Sequence, residues 1–374
     1  MARKGENIYK RKDGRWEGRY IKERDSQNKP LYGYVYAKTY SEARIKLQES
    51  RTASQTTKPT KKDSHIFSDW IDLWLAQKEY SVKESTYIRY KNNIEKHIKP
   101  ALGSSDVSLI DNRVLQGFVT DKLSNGKSDN CGGLSEKTLT DIMMILKNIL
   151  NYSKSNGELV NCDFSQIVIK KKYQEMRVLS RTEERRLNKV LFNNLDIYKL
   201  GILICLYTGI RIGELCALQW KNISFADKTI RIEKTMQRLQ CEENAECKTK
   251  IIISDPKSFS SNRVIPLPDF LIDELKKYQR KGETFVLAVE DKQYTEPRTM
   301  QNHFKKYIAE AKIEEANFHS LRHTFATRCV EANFEIKSLS EILGHSSVKI
   351  TLDKYVHVTM QMKRDNMAKV RLAV

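Results

Sequence analysis

The period of the hydrophobic pattern changes twice along this 374-residue chain, and one core cannot serve all three patterns. In the first stretch the period is two. Trp16, Gly18 and Tyr20 alternate with charged residues after an Asp13-Gly14 turn, and Tyr32, Tyr34 and Tyr36 form a second alternating run after Asn28-Lys29-Pro30. That combination predicts a small antiparallel sheet. From residue 67 the period becomes helical: Phe67, Trp70, Ile71, Trp74 and Leu75 follow the i, i+3, i+4, i+7, i+8 stripe of a helix with one buried face. Beyond residue 171 helical patterns surround one alternating interruption at residues 229–233. Residues 264–267 close a hairpin-like segment there, with residues 241–250 at its tip.

Domains usually run about 100 to 200 residues, so the length also asks for more than one. The predicted fold class is multidomain, mostly α with small β elements. Residues 1–50 read as a three-stranded sheet closed by a helix at 40–50. Residues 51–63, rich in Thr, Ser and Lys, read as a flexible linker. Residues 64–170 read as a helical bundle. Its second helix begins near Lys83 and ends at Pro100 and Gly103. A third is capped by Ser135, carries the stripe Leu139, Ile142, Met143, Leu146, Ile149, Leu150, and stops at Asn156-Gly157. Residues 171–374 form the largest, mixed α/β domain, ending in an amphipathic tail with Met360, Met362, Met367, Val370 and Leu372. Basic residues opposite the bundle stripes, such as Arg89, Lys91 and Lys96, read first as a solvated face.

Lys and Arg number 66 against 47 Asp and Glu, a net charge of +19, which points to a polyanionic partner and best to nucleic acid. The excess is uneven. Residues 1–63 hold 17 basic and 8 acidic side chains, residues 64–175 hold 15 and 14, and residues 176–374 hold 34 and 25. The longest strongly apolar run, residues 200–210, is about half the roughly 20 residues a membrane helix needs. The polar amino terminus offers no signal-peptide core, so the expected compartment is the cytoplasm. Seven scattered cysteines without a Cys-x-x-Cys pair read as reduced thiols, neither a disulfide framework nor a zinc ribbon. Cys241 and Cys247, among Glu242, Glu243 and Glu246, have poor zinc spacing and read as an exposed hairpin extension.

Three strings carry candidate chemistry. In Thr208-Gly209-Ile210-Arg211-Ile212-Gly213-Glu214-Leu215, a glycine past an apolar helix sets Arg211 at the start of the next one, where a guanidinium and a helix amino terminus can share an anion. Glu214, three residues on, can hold Arg211; taken alone, the string reads as a surface Arg-Glu pair. In His319-Ser320-Leu321-Arg322-His323-Thr324, His319 and Arg322 share a helical face while Leu321 and Phe325 face a core. In Leu343-Gly344-His345, a histidine follows a glycine turn, and Tyr355 comes 10 residues later. Singly, each histidine reads as a structural residue and Tyr355 as one of 17 tyrosines.

Together the order Arg, hairpin Lys, His-x-x-Arg, Gly-His, Tyr within one domain resembles the active-site set of the tyrosine recombinases, or phage-type integrases. The three-part organisation looks like the integrases of conjugative transposons, so the resemblance spans essentially the whole chain. It implies an arm-site DNA-binding domain at 1–50, a core-binding domain at 64–170 and a catalytic domain at 171–374. It implies that Arg211, Lys257, His319, Arg322 and His345 surround a scissile DNA phosphate that Tyr355 attacks, with Glu214 in support.

The residue types suit that chemistry. Two fixed guanidiniums, Arg211 and Arg322, can bind the equatorial oxygens of the transition state without a metal ion. Tyr355 would keep the bond as a 3′-phosphotyrosyl link, so rejoining needs no ATP or other cofactor. By the resemblance, Lys257 in Asp255-Pro256-Lys257-Ser258 is the general acid for the 5′-oxygen, with Lys248 and Lys250 as competitors, while His319 and His345 handle protons and the phosphate. The implied function is integration and excision of a mobile element through a Holliday junction. The partners are double-stranded DNA at arm and core sites, a homotetramer on that DNA, and an excisionase or DNA-bending accessory protein; the implied setting is the bacterial nucleoid. In this family the tail packs on a neighbouring protomer, although folding back on its own domain is also open. A chromosome-dimer resolvase, a type IB topoisomerase and a catalytically inert DNA-binding regulator are the alternatives.

Overall fold

The computed structural model describes residues 7–24, 30–55, 66–127, 132–170, 176–241, 247–255, 259–289, 293–355 and 367. Two compact units divide the chain, Met1–Lys170 and Lys171–Val374. The architecture is mostly helical with small antiparallel sheets, as the patterning predicts.

The first unit opens with strands β1 (Ile8–Lys10), β2 (Trp16–Arg24) and β3 (Pro30–Ala37), all antiparallel, followed by helix α1 (Tyr40–Gln55). The period-two pattern sorts the sheet's faces. Ile8, Ala37, Ala43 and Leu47 are buried between sheet and helix, with Trp16, Tyr20, Val35 and Tyr40 packed around them. Tyr9, Tyr32, Tyr34 and Tyr36 stand exposed, and the guanidiniums of Arg11, Arg15 and Arg19 lie over the rings of Tyr36 and Tyr32 at 4.3–5.7 Å. Helix α1 runs to Gln55, five residues into the segment read as a linker. Ser and Thr weaken a helix without forbidding it.

The bundle comprises α2 (Phe67–Glu79), α3 (Glu84–Asn93), α4 (Lys99–Leu102), α5 (Asn112–Asn125) and α6 (Glu136–Ser155). Both apolar stripes named above are buried in one core. Ser135 caps α6 by accepting a hydrogen bond from the Thr138 amide, and Asn156 ends it. Pro100, however, does not stop its helix. A π-helical turn, Ile94–Ile98, joins α3 to α4, and Pro100 lies in the first turn of α4. A proline ring is tolerated where no amide is owed to the preceding turn, and the wide π turn buries Ile94, His97 and Ile98 on one side.

In the second unit α7 (Arg181–Phe192), α8 (Ile197–Thr208) and the short α9 (Ile212–Cys216) precede the strands β4 (Ile223–Ser224), β5 (Thr229–Ile232), β6 (Thr235–Gln240), β7 (Thr249–Ser254) and β8 (Arg263–Pro266). Strands β4, β5 and β8 make one sheet, and β6 and β7 a separate hairpin. Helices α10 (Asp269–Tyr278), α11 (Pro297–Glu310), α12 (His319–Glu331), α13 (Ile336–Leu343) and α14 (Val348–Tyr355) complete it. Almost all of α8 is buried, including Leu200, Ile202, Leu203, Ile204 and Leu206, which makes it the central helix. Among the described residues no helix is long and apolar enough to cross a membrane.

Gly209 makes the first turn of the site possible. It ends α8 with φ +66°, and a Cβ there would sit 2.5 Å from Cδ1 of Phe325 and 2.9 Å from Cδ2 of Leu343. The left-handed conformation and the contact with α12 and α13 both require glycine. Gly209→Ala is therefore expected to lower stability by about 1–3 kcal/mol, read as an earlier urea-unfolding midpoint of the second unit. A midpoint unchanged from wild type would show that the junction has slack.

Candidate active site

Arg211 is the residue before α9, in extended conformation. Its amide donates to Glu214 Oε2 at 2.9 Å and its Nη1 to Glu214 Oε1 at 2.7 Å, while Nη2 reaches the Gly344 carbonyl at 3.4 Å. Glu214 is buried and serves a second cation: Arg263 donates to both of its oxygens, at 3.3 and 2.9 Å. Burial alone would push the Glu214 carboxyl up. The hydrogen bonds and charge of Arg263, then Arg211, outweigh it and hold the group below its usual range.

Arg322 lies one turn into α12, only 2% exposed. Its Nη1 donates to the Gly209 carbonyl at 2.8 Å and its Nη2 to the Leu343 carbonyl at 2.6 Å. The guanidinium therefore bridges the carboxyl ends of α8 and α13, each closed by a left-handed glycine, Gly209 and Gly344. Helix carboxyl ends carry partial negative charge, which suits a cation. Burial, then neighbouring Arg211, lowers its pKa to about 10, and it stays charged at neutral pH.

Helix α12 buries polar residues by satisfying them locally. Asn317 Oδ1 accepts from the Ser320 amide at 3.0 Å and so caps the helix; Thr324 Oγ1 donates to the Ser320 carbonyl at 2.8 Å. His319 projects beside Arg322 into a cavity of about 210 Å³ that is also lined by Ile210, Ile212, Gln301, Asn317 and Phe318. Burial first, then His323, Arg322 and Arg211, lowers the His319 pKa to about 4.

Gly344 turns the chain at the end of α13 with φ +65°, and His345 follows. Its Nδ1 hydrogen-bonds Thr351 Oγ1 at 2.8 Å, and its ring stacks parallel to Tyr355 with centroids 6.1 Å apart. Burial, then Arg322 and Arg211, takes its pKa to about 3. Tyr355 ends α14, 5% exposed, with its hydroxyl 3.0 Å from His323 Nδ1. Burial raises its pKa, while the nearby Arg322 and Arg211 pull the other way.

The structure thus brings Arg211, Glu214, His319, Arg322, His345 and Tyr355 together. Lys257 and the tail from residue 356 onward, Met367 excepted, lie outside the described residues. Lys248 and Lys250 are exposed, at the tip of the β6–β7 hairpin and in β7. That hairpin also carries Cys241 and Cys247, whose sulfurs are 3.7 Å apart. Two members of the cluster were not singled out by sequence spacing. Arg263 reaches Glu214 from β8, and His323 reaches Tyr355; for His323 the only signal was its position directly after Arg322.

The chain matches the model of the phage integrase family over residues 177–362 and that of the phage integrase N-terminal SAM-like domain over residues 66–123. A tyrosine recombinase XerC-like protein of Caldanaerobacter subterraneus subsp. tengcongensis is 28% identical over 367 residues, covering 91% of each chain. The ICEBs1 integrase of Bacillus subtilis is 24% identical over 86% of this chain and 87% of its own. Among solved structures, the Tn1549 transposon integrase in complex with a circular intermediate DNA shares the fold, with a TM-score of 0.68 at 20% identity over 82% of this chain and 100% of that one.

Proposed function

From its membership of the phage integrase family, as a tyrosine recombinase resembling the integrases of conjugative transposons, we propose how this chain cleaves and rejoins DNA. The enzyme is a site-specific recombinase that integrates and excises a mobile element. The observation that carries the reading of its site is the gathering of half-exposed Arg211, buried Arg322 and two histidines around buried Tyr355, with His323 at its hydroxyl and His345 stacked on its ring.

In our reading the scissile phosphate enters beside His319 and Arg322, and Arg211 and Arg322 hold its non-bridging oxygens as negative charge gathers on them. His319 and His345, uncharged at rest, hydrogen-bond the phosphate. Tyr355 attacks phosphorus, the 5′-oxygen leaves, and the bond is held as a 3′-phosphotyrosyl link until the 5′-hydroxyl of the other duplex reverses the step. Glu214 positions Arg211 and orients the arginine pair.

Lys257 is the general acid that protonates the leaving oxygen. Support comes from the hairpin's base, where Thr235 pairs with Ser254 and a Cβ on Gly213 would meet Thr235 Oγ1 at 2.6 Å. Lys250 pairs with Leu239, four residues up the strand, about 13 Å from that base at 3.3 Å per residue. Lys257, by contrast, is three residues before Ser260, whose carbonyl oxygen would lie 3.0 Å from a Cβ on Gly344, beside His345.

The exposed tyrosines of the amino-terminal sheet, with arginines over their rings, suit an arm-site DNA contact. The bundle would hold the core site together with the catalytic domain. Four protomers on two duplexes would exchange strands in sequence through a Holliday junction, in the bacterial cytoplasm, with an excisionase or bending protein choosing direction. Plasmids bearing paired element ends test this directly. Exchange between sites is expected in EDTA without ATP, and weakens steeply with salt as counterion release is lost. Relaxation of supercoils with no exchange would favour a topoisomerase, and a strict magnesium requirement would remove the mechanism altogether.

A further inference from the structure

Attack by Tyr355 poses a problem that the arginines do not solve. Burial holds its phenol above the ordinary pKa, so at neutral pH the hydroxyl keeps its proton, and a neutral phenol is a weak nucleophile. Some group must take that proton as the bond to phosphorus forms. His345 is badly placed for it: its Nδ1 is occupied by Thr351, and its ring lies parallel to the tyrosine ring at an interplanar angle of 4°. His319 meets His323 edge-on, with centroids 4.5 Å apart.

We propose, on the reading that Tyr355 is the nucleophile, that His323 is its proton acceptor, through the 3.0 Å contact between His323 Nδ1 and the tyrosine hydroxyl. His323 is buried in α12 directly after Arg322, so the residue that binds the phosphate and the one that receives the proton are fixed by the same helix. Its ring is wedged between His319 and Tyr355. Among the described residues, the charged and titratable groups facing it are Arg322 and His319 from α12, and Lys354 and Tyr355 from α14. Burial first, then Lys354 and Arg322, lowers the His323 pKa to about 4, so the imidazole is neutral and has a lone pair to offer.

The step balances within the chain and its substrate. The Tyr355 O–H bond breaks and the proton passes to His323 Nδ1; the phenolic oxygen bonds phosphorus; the bond from phosphorus to the 5′-oxygen breaks, and that oxygen is protonated from the other side. In rejoining, the 5′-hydroxyl of the incoming strand attacks phosphorus and gives its proton to the group that protonated the leaving oxygen, the bond from phosphorus to the tyrosine oxygen breaks, and His323 returns the proton to that oxygen. The low resting basicity is corrected by the substrate. A phosphate brings negative charge among the cations that depress His323, and the phenol itself becomes more acidic as its bond to phosphorus forms.

The test uses the full chain and a nicked suicide substrate with a 5′-bridging phosphorothiolate at the cleavage site. Sulfur leaves without a proton, so the pH profile of adduct formation reports the nucleophile's side alone. His323→Asn preserves a hydrogen-bond acceptor that cannot take up a proton. It is expected to slow adduct formation by roughly 10²-fold or more at neutral pH, with the deficit shrinking as pH rises toward ionisation of the phenol. A fluorinated tyrosine at position 355, more acidic, is expected to recover much of the loss. A His323→Asn rate within a fewfold of wild type, or a deficit equal at every pH and untouched by fluorination, overturns the proposal. Tyr355→Phe separates the two claims: if it is inactive while His323→Asn is normal, only the role of His323 falls; if it still forms adduct, Tyr355 is not the nucleophile and both fall.

Discussion

Tyr355→Phe is expected to bind DNA as wild type does and to form no covalent adduct, a loss of roughly 10⁴-fold or more, the scale on which removing a nucleophile acts. The change deletes one oxygen. The ring is 5% exposed and packs with Ala326, Cys329, Val330, Leu339 and Leu343, so phenylalanine keeps the apolar contacts. What disappears is the hydrogen bond to His323, worth about 1 kcal/mol, and the fold should survive that. In the proposed reading DNA affinity rests on the many Lys and Arg side chains, Arg211 and Arg322 among them, and the substitution removes none of these charges. Gel shift against denaturing-gel capture on a nicked substrate separates the two properties. Adduct at the wild-type level from the variant would mean that another of the 17 tyrosines does the work.

The site was legible as far as its residue types recur in an ordered string. Arg211 with Glu214, and His319 with Arg322, are three apart, and helical geometry makes such pairs neighbours whatever the rest of the fold does. Gly209 and Gly344 were legible as turns for the same local reason. Arg263 and His323 were not, because their partners stand 49 and 32 residues away and no spacing rule connects a strand to a helix or one helix to another. The bundle shows the same division. Its stripes report burial directly, whereas the π turn at Ile94–Ile98 has no periodic signature and let Pro100 pass inside a helical path where a proline usually ends one. Sequence also suggested that Glu214 steadies Arg211, but not that one carboxylate answers two guanidiniums at once.

That double duty makes Glu214→Gln the substitution with the largest expected effect on stability. Glutamine keeps the shape and removes the charge, leaving Arg263 and Arg322 buried at 9% and 2% exposure with Arg211 alongside and no carboxylate among them. Four carbonyl contacts remain to Arg263 and Arg322, from Ser261 and Ile342 and from Gly209 and Leu343, but dipoles offset a buried cation only in part. Removing one partner of a buried ion pair costs about 3–5 kcal/mol, and that is the expected loss in thermal or urea unfolding of the second unit. The pH dependence has a definite sign. Glu214 is more acidic folded than unfolded, so its stabilisation is complete above the unfolded value near 4.5 and is lost as pH falls through the folded one. His319, His323 and His345 are also less basic folded than unfolded; the unfolded chain binds more protons as pH drops below about 6.5, and stability falls there too. Wild type should therefore weaken in two stages on acidification, histidines first and Glu214 after, while Glu214→Gln retains only the first. If a DNA phosphate binds the arginines as proposed, it supplies negative charge beside them, and the bound variant is expected to recover part of the deficit. A loss under about 1 kcal/mol, or an acid limb below pH 4.5 as steep in the variant as in wild type, would mean that the arginines are held by the carbonyls and not by Glu214.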